Sequence, residues 1–274
     1  MRIVATDRDP SQWRGDALVL FIIEGKMDPV DQLGEEIASL VKQKASRLRF
    51  TGKEDSLLAV DTPGGIVGSI YLAGLGSADG ASPEPWRRGI ALVVRQAGKD
   101  RHRRILILPG GAATLEVHSA LAEGALLSEY SFDRYKSGLD PSEKPEPIDE
   151  LLVHGGDERS LARGSMNAIA QNFARDLVNE PGNVINPAGL AERASAMAGE
   201  CGLECSIFDE EKMREMGMNG ILSVGAGSHN APRLIHLVYR PSGPSRERIA
   251  FVGKGLTFDS GGLNIKPGDY MRSM

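Results

Sequence analysis

The chain has 274 residues, 41% hydrophobic and 25% charged, with a net charge of −5. That composition suits a soluble globular protein of one large or two medium domains and is the opposite in sign of a dedicated nucleic-acid binder. Two cysteines, Cys201 and Cys205, exclude a disulfide scaffold and fit a reducing cytoplasm, and no signal core or run of the ~20 apolar residues needed to span a membrane is visible.

Short apolar runs alternate with helix-period segments, the pattern of an α/β fold. Arg2–Thr6 and Asp16–Ile23 read as strands, the second apolar enough to be covered on both faces. Leu33, Ile37, Leu40 and Val41 set a helical period over Asp31–Lys44. Leu57–Asp61 and Ile66–Leu72 are predicted strands around a turn at Pro63-Gly64-Gly65. A helix over Glu84–Ala97 leads to a strand at Arg104–Leu108, which closes at Pro109-Gly110-Gly111. Leu115–Tyr130 is a helix whose small residues predict close packing, and Pro145–His154 contains a further strand.

Ser137–Pro147, rich in proline and charge, reads as a surface loop. Gly155-Gly156 and the N-cap Asp157 then introduce a long helix over Ser160–Val178. This predicts two α/β lobes, 1–156 and 157–274. The helix stops at Asn179-Glu180-Pro181-Gly182-Asn183, and Asn186-Pro187 restarts one. Cys205–Phe208, Leu234–Tyr239 and Arg248–Gly253 are predicted strands.

The chemistry-bearing stretch is 249–267. An apolar segment runs into Lys254, set between Gly253 and Gly255, with Asp259 five residues on and Lys266 seven beyond that. Two amines and a carboxylate thus converge near a strand end, where open α/β sheets place their sites. By itself the stretch fits a strand, a turn and surface lysines as well as it fits a site. A phosphate cradle is disfavoured, since no Gly-Lys-Ser/Thr follows.

The order Val252-Gly253-Lys254-Gly255, Phe258-Asp259-Ser260-Gly261-Gly262, Lys266-Pro267 closely resembles the signature of the leucyl aminopeptidase (cytosol aminopeptidase) family. Ala122-Glu123-Gly124-Ala125-Leu126-Leu127, Ala174-Arg175-Asp176-Leu177-Val178-Asn179-Glu180-Pro181 and the run from Gly217 to Ser228 are similar to further stretches of it. The resemblance implies an amino-terminal macro-like α/β domain followed by the first part of an α/β metallopeptidase domain. It also implies peptide substrates, two divalent ions (manganese or zinc) and a homohexamer. Lys254 would then ligate one metal through a neutral amine, and Asp259 would bridge the two. Lys266 would act as a cation on the substrate carbonyl, as the catalytic residue. The family's later ligands, in an Asn-Thr-Asp-Ala-Glu-Gly-Arg run, and its catalytic arginine have no counterpart in the 274 residues. The chain alone is therefore expected to be inactive and to bind metal weakly. The competing expectation is a non-catalytic relative acting as a binding or oligomerisation module.

None of the five histidines forms a helical i, i+4 metal pair, and Cys201 and Cys205 lack partner ligands, so both sets are expected to be structural. The basic run Lys99–Arg104 is expected to be a solvated turn, with no nucleic-acid role.

Overall fold

A computed structural model describes residues 1–62, 67–77, 82–110, 113–138, 144–243 and 247–271. The predicted turn at 63–65, Gly111 and part of the predicted 137–147 loop lie outside the described residues. The chain divides into two compact units, Met1–Ala174 and Arg175–Met274.

The first unit is built on β1 (Arg2–Thr6), β2 (Ala17–Ile23), β3 (Leu57–Asp61), β4 (Ser69–Gly76), β5 (Arg104–Leu108) and β6 (Glu150–His154). Its helices are α1 (Glu35–Arg47), α2 (Glu84–Lys99), α3 (Leu115–Ser128) and the amino-terminal part of α4 (Glu158–Asn179). The strands form one sheet in the order β1-β6-β5-β2-β4-β3, parallel except where β3 pairs with β4.

β2 is buried along nearly its whole length because both of its faces are covered. Ala17, Val19 and Phe21 join the core beneath α2 and α3, with Trp86, Ile90, Val117, Leu121 and Leu161. Leu18, Leu20 and Ile22 join the opposite core with Val30, Ala38, Val41 and Ala45. The helix predicted from Asp31 is split. A short 3-10 turn covers Asp28–Leu33, and α1 starts only after Gly34, whose φ of 85° breaks the helical path. β4 starts and ends later than predicted. It runs through Gly74, where a Cβ would meet the Lys53 carbonyl oxygen at 2.1 Å.

Two glycines set how closely the covering helices approach. At Gly124 of α3 a Cβ would stand 2.3 Å from the Arg87 carbonyl oxygen of α2. At Gly164 of α4 it would stand 2.0 Å from the Ser119 carbonyl oxygen of α3. Arg87 also reaches across to Glu123, at 3.0 Å.

The predicted cap at Asp157 is present: its side chain accepts the Ser160 N–H at 2.8 Å. Asp157 in turn donates its own N–H to Nδ1 of the buried His118, at 3.1 Å. His102 likewise serves the fold, with Nδ1 2.8 Å from the hydroxyl of buried Tyr71, which donates to Asp100.

The bond to Asp157 requires a neutral Nδ1 on His118. Burial pushes this histidine below its ordinary pKa of 6.5, and the Asp157 carboxylate partly opposes that. A base depressed in the folded state stabilises fully above the unfolded pKa, and its contribution is lost as pH falls through the folded value. The first unit is therefore expected to lose stability between about pH 7 and pH 5, as the unfolded histidine takes up its proton. His118→Asn, whose side-chain oxygen can accept the same N–H, should flatten that part of the profile. Denaturant midpoints of both proteins across this range check it, and parallel profiles would refute it.

The basic run is paired with acids of the β6 entry. Arg103 lies 2.9 Å from Asp149, Arg104 3.5 Å from Glu150 and Arg101 4.0 Å from Glu146. Glu150 is shared with Arg2 of β1, at 3.7 Å.

The second unit holds α5 (Pro187–Cys201), β7 (Glu204–Phe208), α6 (Glu210–Glu215), α7 (Asn219–Gly225), β8 (Leu234–Val238) and α8 (Gly268–Met271). Asn186 caps α5 by accepting the Gly189 N–H, and Gly202 ends it in the left-handed region. β7 and β8 pair antiparallel as a separate sheet. The strand predicted at Arg248–Gly253 does not form. Among the described residues it pairs with no strand, although β7 and β8 each keep one unpaired edge, and Phe251 and Val252 are 95% and 97% exposed. An apolar run alone does not make a strand; its backbone groups need a partner.

Candidate metal and substrate site

The stretch 254–266 lies within the second unit and packs on its turn and on α5. A Cβ at Gly182 would stand 3.2 Å from the Thr257 carbonyl oxygen, and one at Gly255 3.9 Å from Leu190 Cδ2. The proline-glycine turn that ends α4 is thus the floor under the residues preceding Asp259.

From Asp259 to Lys266 the backbone closes into a tight loop. The Lys266 N–H donates to the Ser260 carbonyl at 2.9 Å. Gly261 has a φ of 93°, and a Cβ there would lie 2.2 Å from the Asn264 carbonyl oxygen. Only glycine meets both conditions.

Two of the three sequence-predicted residues come together in this loop. Lys266 Nζ lies 2.5 Å from Asp259 Oδ2 and donates to the Asp259 main-chain carbonyl at 3.1 Å. Asp259 Oδ1 accepts the Gly261 N–H at 2.9 Å. The carboxyl is held below the ordinary carboxylate range, first by the Lys266 hydrogen bond and then by that of Gly261, with partial burial opposing. Lys254 has an exposed side chain and makes no close pair with Asp259, but its positive charge also favours the ionised carboxylate.

The residue that sequence reasoning missed is Gly261. The Gly261-Gly262 pair was visible, but nothing in the sequence says that a backbone N–H there would orient a carboxylate oxygen. Among the described residues no group of three or more His, Cys, Asp or Glu is placed to hold a metal ion. Chemically, the loop presents an ionised carboxylate, a cation in contact with it and a second amine nearby.

The chain matches known proteins along its length. The profile of the cytosol aminopeptidase family's N-terminal domain matches residues 19–138, and that of the same family's catalytic domain matches residues 172–274. A probable cytosol aminopeptidase of Aquifex aeolicus is 45% identical over 276 residues, covering 100% of this chain and 56% of the relative. One of Persephonella marina is 40% identical, covering 91% and 52%. Among solved structures, a mutant of tomato leucine aminopeptidase matches with a TM-score of 0.83 at 30% identity, covering 94% of this chain and 55% of its own. The bottromycin maturation enzyme BotP in complex with Mn matches with a TM-score of 0.77 at 29% identity, covering 94% and 52%. The chain thus spans about half the length of the curated relatives it matches. With both family domains matched in order and the Lys254, Asp259 and Lys266 signature falling inside the second, the chain belongs to the cytosol aminopeptidase family, a family of peptidases.

Proposed function

We propose that the whole protein is a metal-dependent aminopeptidase, releasing amino-terminal residues from peptides by hydrolysis, with Lys254, Asp259 and Lys266 in its reaction centre. The observation that carries this reading is the closed loop that sets a carboxylate and a cation 2.5 Å apart within the catalytic-domain match. Two divalent ions (manganese or zinc), a leucine-type preference, a homohexamer and a cytoplasmic location go with the reading. So does a catalytic domain starting at residue 157.

The donors suit a divalent ion in kind. Asp259 offers two carboxylate oxygens, and Lys254 offers an amine that ligates once its proton is displaced. A bound ion of this type supplies Lewis acidity and lowers the pKa of water. Asp259 is pre-oriented for that task by the Gly261 N–H. Lys266 supplies the positive charge that meets an oxyanion developing on the scissile carbonyl.

In number the donors fall short. Two dications need several anionic oxygens to offset their charge, and among the described residues Asp259 is the single carboxylate of the 259–266 loop. The 274-residue chain alone is therefore expected to bind manganese weakly and to leave a leucine anilide intact. Calorimetric titration beside an anilide assay tests this; micromolar two-site binding with metal-dependent turnover would overturn it. In the whole protein, Asp259→Ala is expected to abolish most turnover, and near-wild-type hydrolysis by that variant would remove Asp259 from the site.

A second reading, a non-catalytic binding or oligomerisation module, draws on the completeness of the first unit. Its sheet is covered on both faces, whereas the second unit leaves Ile249, Phe251, Val252 and Ile265 at least 70% exposed. Absence of metal-dependent turnover in the whole protein would favour it.

A further inference from the structure

α4 carries two apolar faces, and the first unit uses one of them. Leu161, Gly164 and Ala168 are buried, Gly164 against the Ser119 carbonyl of α3. On the opposite side Ala162, Met166, Ile169 and Phe173 follow one another in steps of four, three and four residues. That spacing holds them in one stripe along a helix, as at the seam of a coiled coil. Met166 and Ile169, at its middle, are 63% and 62% exposed, and Ala162 is exposed beside them. Single apolar residues on a surface are ordinary; a stripe set opposite the buried face of the same helix is the pattern of a contact surface.

The stepping continues to a charge at each end. Arg159 stands three residues before Ala162, and Asp176 three after Phe173. Read along α4, the order is cation, small, large, large, large, anion. A second copy of the helix turned end for end matches this order. Met166 meets the partner's Ile169, Ala162 the partner's Phe173, and Arg159 the partner's Asp176. Small side chains then face large ones and cations face anions, each contact occurring twice, as two-fold symmetry requires. On the flank, Arg163 comes beside the partner's Ala170, so no like charges meet. A parallel pair would instead set Arg159 on its own copy and Asp176 on its own copy, and would leave two alanines facing each other.

We propose that this face of α4 is a self-association surface, on which two copies of the chain pair their α4 helices antiparallel about a two-fold axis. The surface goes beyond the peptidase reading. It holds none of Lys254, Asp259 and Lys266, and most of it falls between the two matched profiles, 19–138 and 172–274. A seam of this length lies at the low end of the ~1,200 Å² and more that specific interfaces bury, so the dimer should dissociate at about 10 µM.

Sedimentation equilibrium of the 274-residue chain tests it, over about 1 to 300 µM. The mass should rise from one chain to two. Met166→Glu and Ile169→Lys should each weaken the dimer about tenfold or more, because each sets an unpaired charge against an apolar side chain. Both positions are exposed within one chain, so circular dichroism and the thermal midpoint should show each variant folded. An equimolar mixture of the two variants should pair again, since the new charges are opposite in sign and meet only in the antiparallel arrangement. A chain that stays single throughout, or a dimer that survives both substitutions, would overturn the proposal. So would two variants that separate but fail to restore pairing when mixed. In the whole protein, Met166→Glu should lower the assembled mass. An unchanged mass there would also overturn the proposal, and a lowered thermal midpoint beside it would mean that the rest of the same chain covers the stripe.

Discussion

Lys266→Met in the whole protein is expected to lower kcat for a leucine anilide by about 10²–10³-fold, the usual consequence of deleting one stabiliser of a developing oxyanion. The charge matters because it would meet negative charge that grows only on the way to the transition state. KM should therefore change much less than kcat. The measurement is made at saturating Mn²⁺, so that metal occupancy is equal in the two proteins. Lys266→Arg should recover part of the rate, because it keeps the charge while changing its shape and reach. A Lys266→Met enzyme with kcat near wild type would assign the lysine to loop closure alone.

Gly164→Ala should destabilise the first unit by about 1–3 kcal/mol, although alanine is the better helix former by about 1 kcal/mol. The new methyl would fall 2.0 Å from a carbonyl oxygen of α3, which belongs to a helix backbone and cannot rotate away. α4 must then lift from α3, loosening the packing of Leu161 against the core that holds Val117 and Leu121. In a chain of this size the thermal midpoint should fall by roughly 3–8 °C. Gly199→Ala on α5 is the control. Nothing lies within 4 Å of a Cβ there, so the propensity gain should act unopposed and the midpoint should hold or rise. A Gly164→Ala protein that also gains stability would mean that the helix contact adjusts freely.

Much of this architecture was legible in the sequence, because its elements are local. Ala17–Ile23 is apolar without a break and is the central strand. Asp157 and Asn186 have the chemistry of caps, and both cap. Pro181 and Gly182 end a helix wherever they fall. What escaped was set by backbone conformation or by distant partners. Gly34 shortened the first helix through its backbone conformation. Arg248–Gly253 has the apolar content of a strand but among the described residues it is paired with none. The site divides in the same way. The spacing of Lys254, Asp259 and Lys266 marked the residues, and the signature marked the family. The contact between Asp259 and Lys266, and the role of Gly261, depend on how eight residues close into a loop, which spacing does not encode.

The rung formed by Arg2, Glu150 and Arg104 bears on how the sheet finds its register. These residues open β1, β6 and β5, and Glu150 pairs directly with both arginines across the strands. Beyond the rung the strands are almost wholly apolar: Ile3-Val4-Ala5, Leu151-Leu152-Val153 and Ile105 to Leu108. A slip of two residues keeps every side chain on its own face and sets apolar against apolar, so burial alone scarcely distinguishes the shifted sheet from the native one. The charges do. Sliding β6 by two would put Glu150 opposite Leu106, or Leu152 opposite Arg104, and would strand a carboxylate between two oily neighbours. One glutamate shared by two strands thus acts as a key for the alignment of three, in a region where greasy side chains carry no positional information.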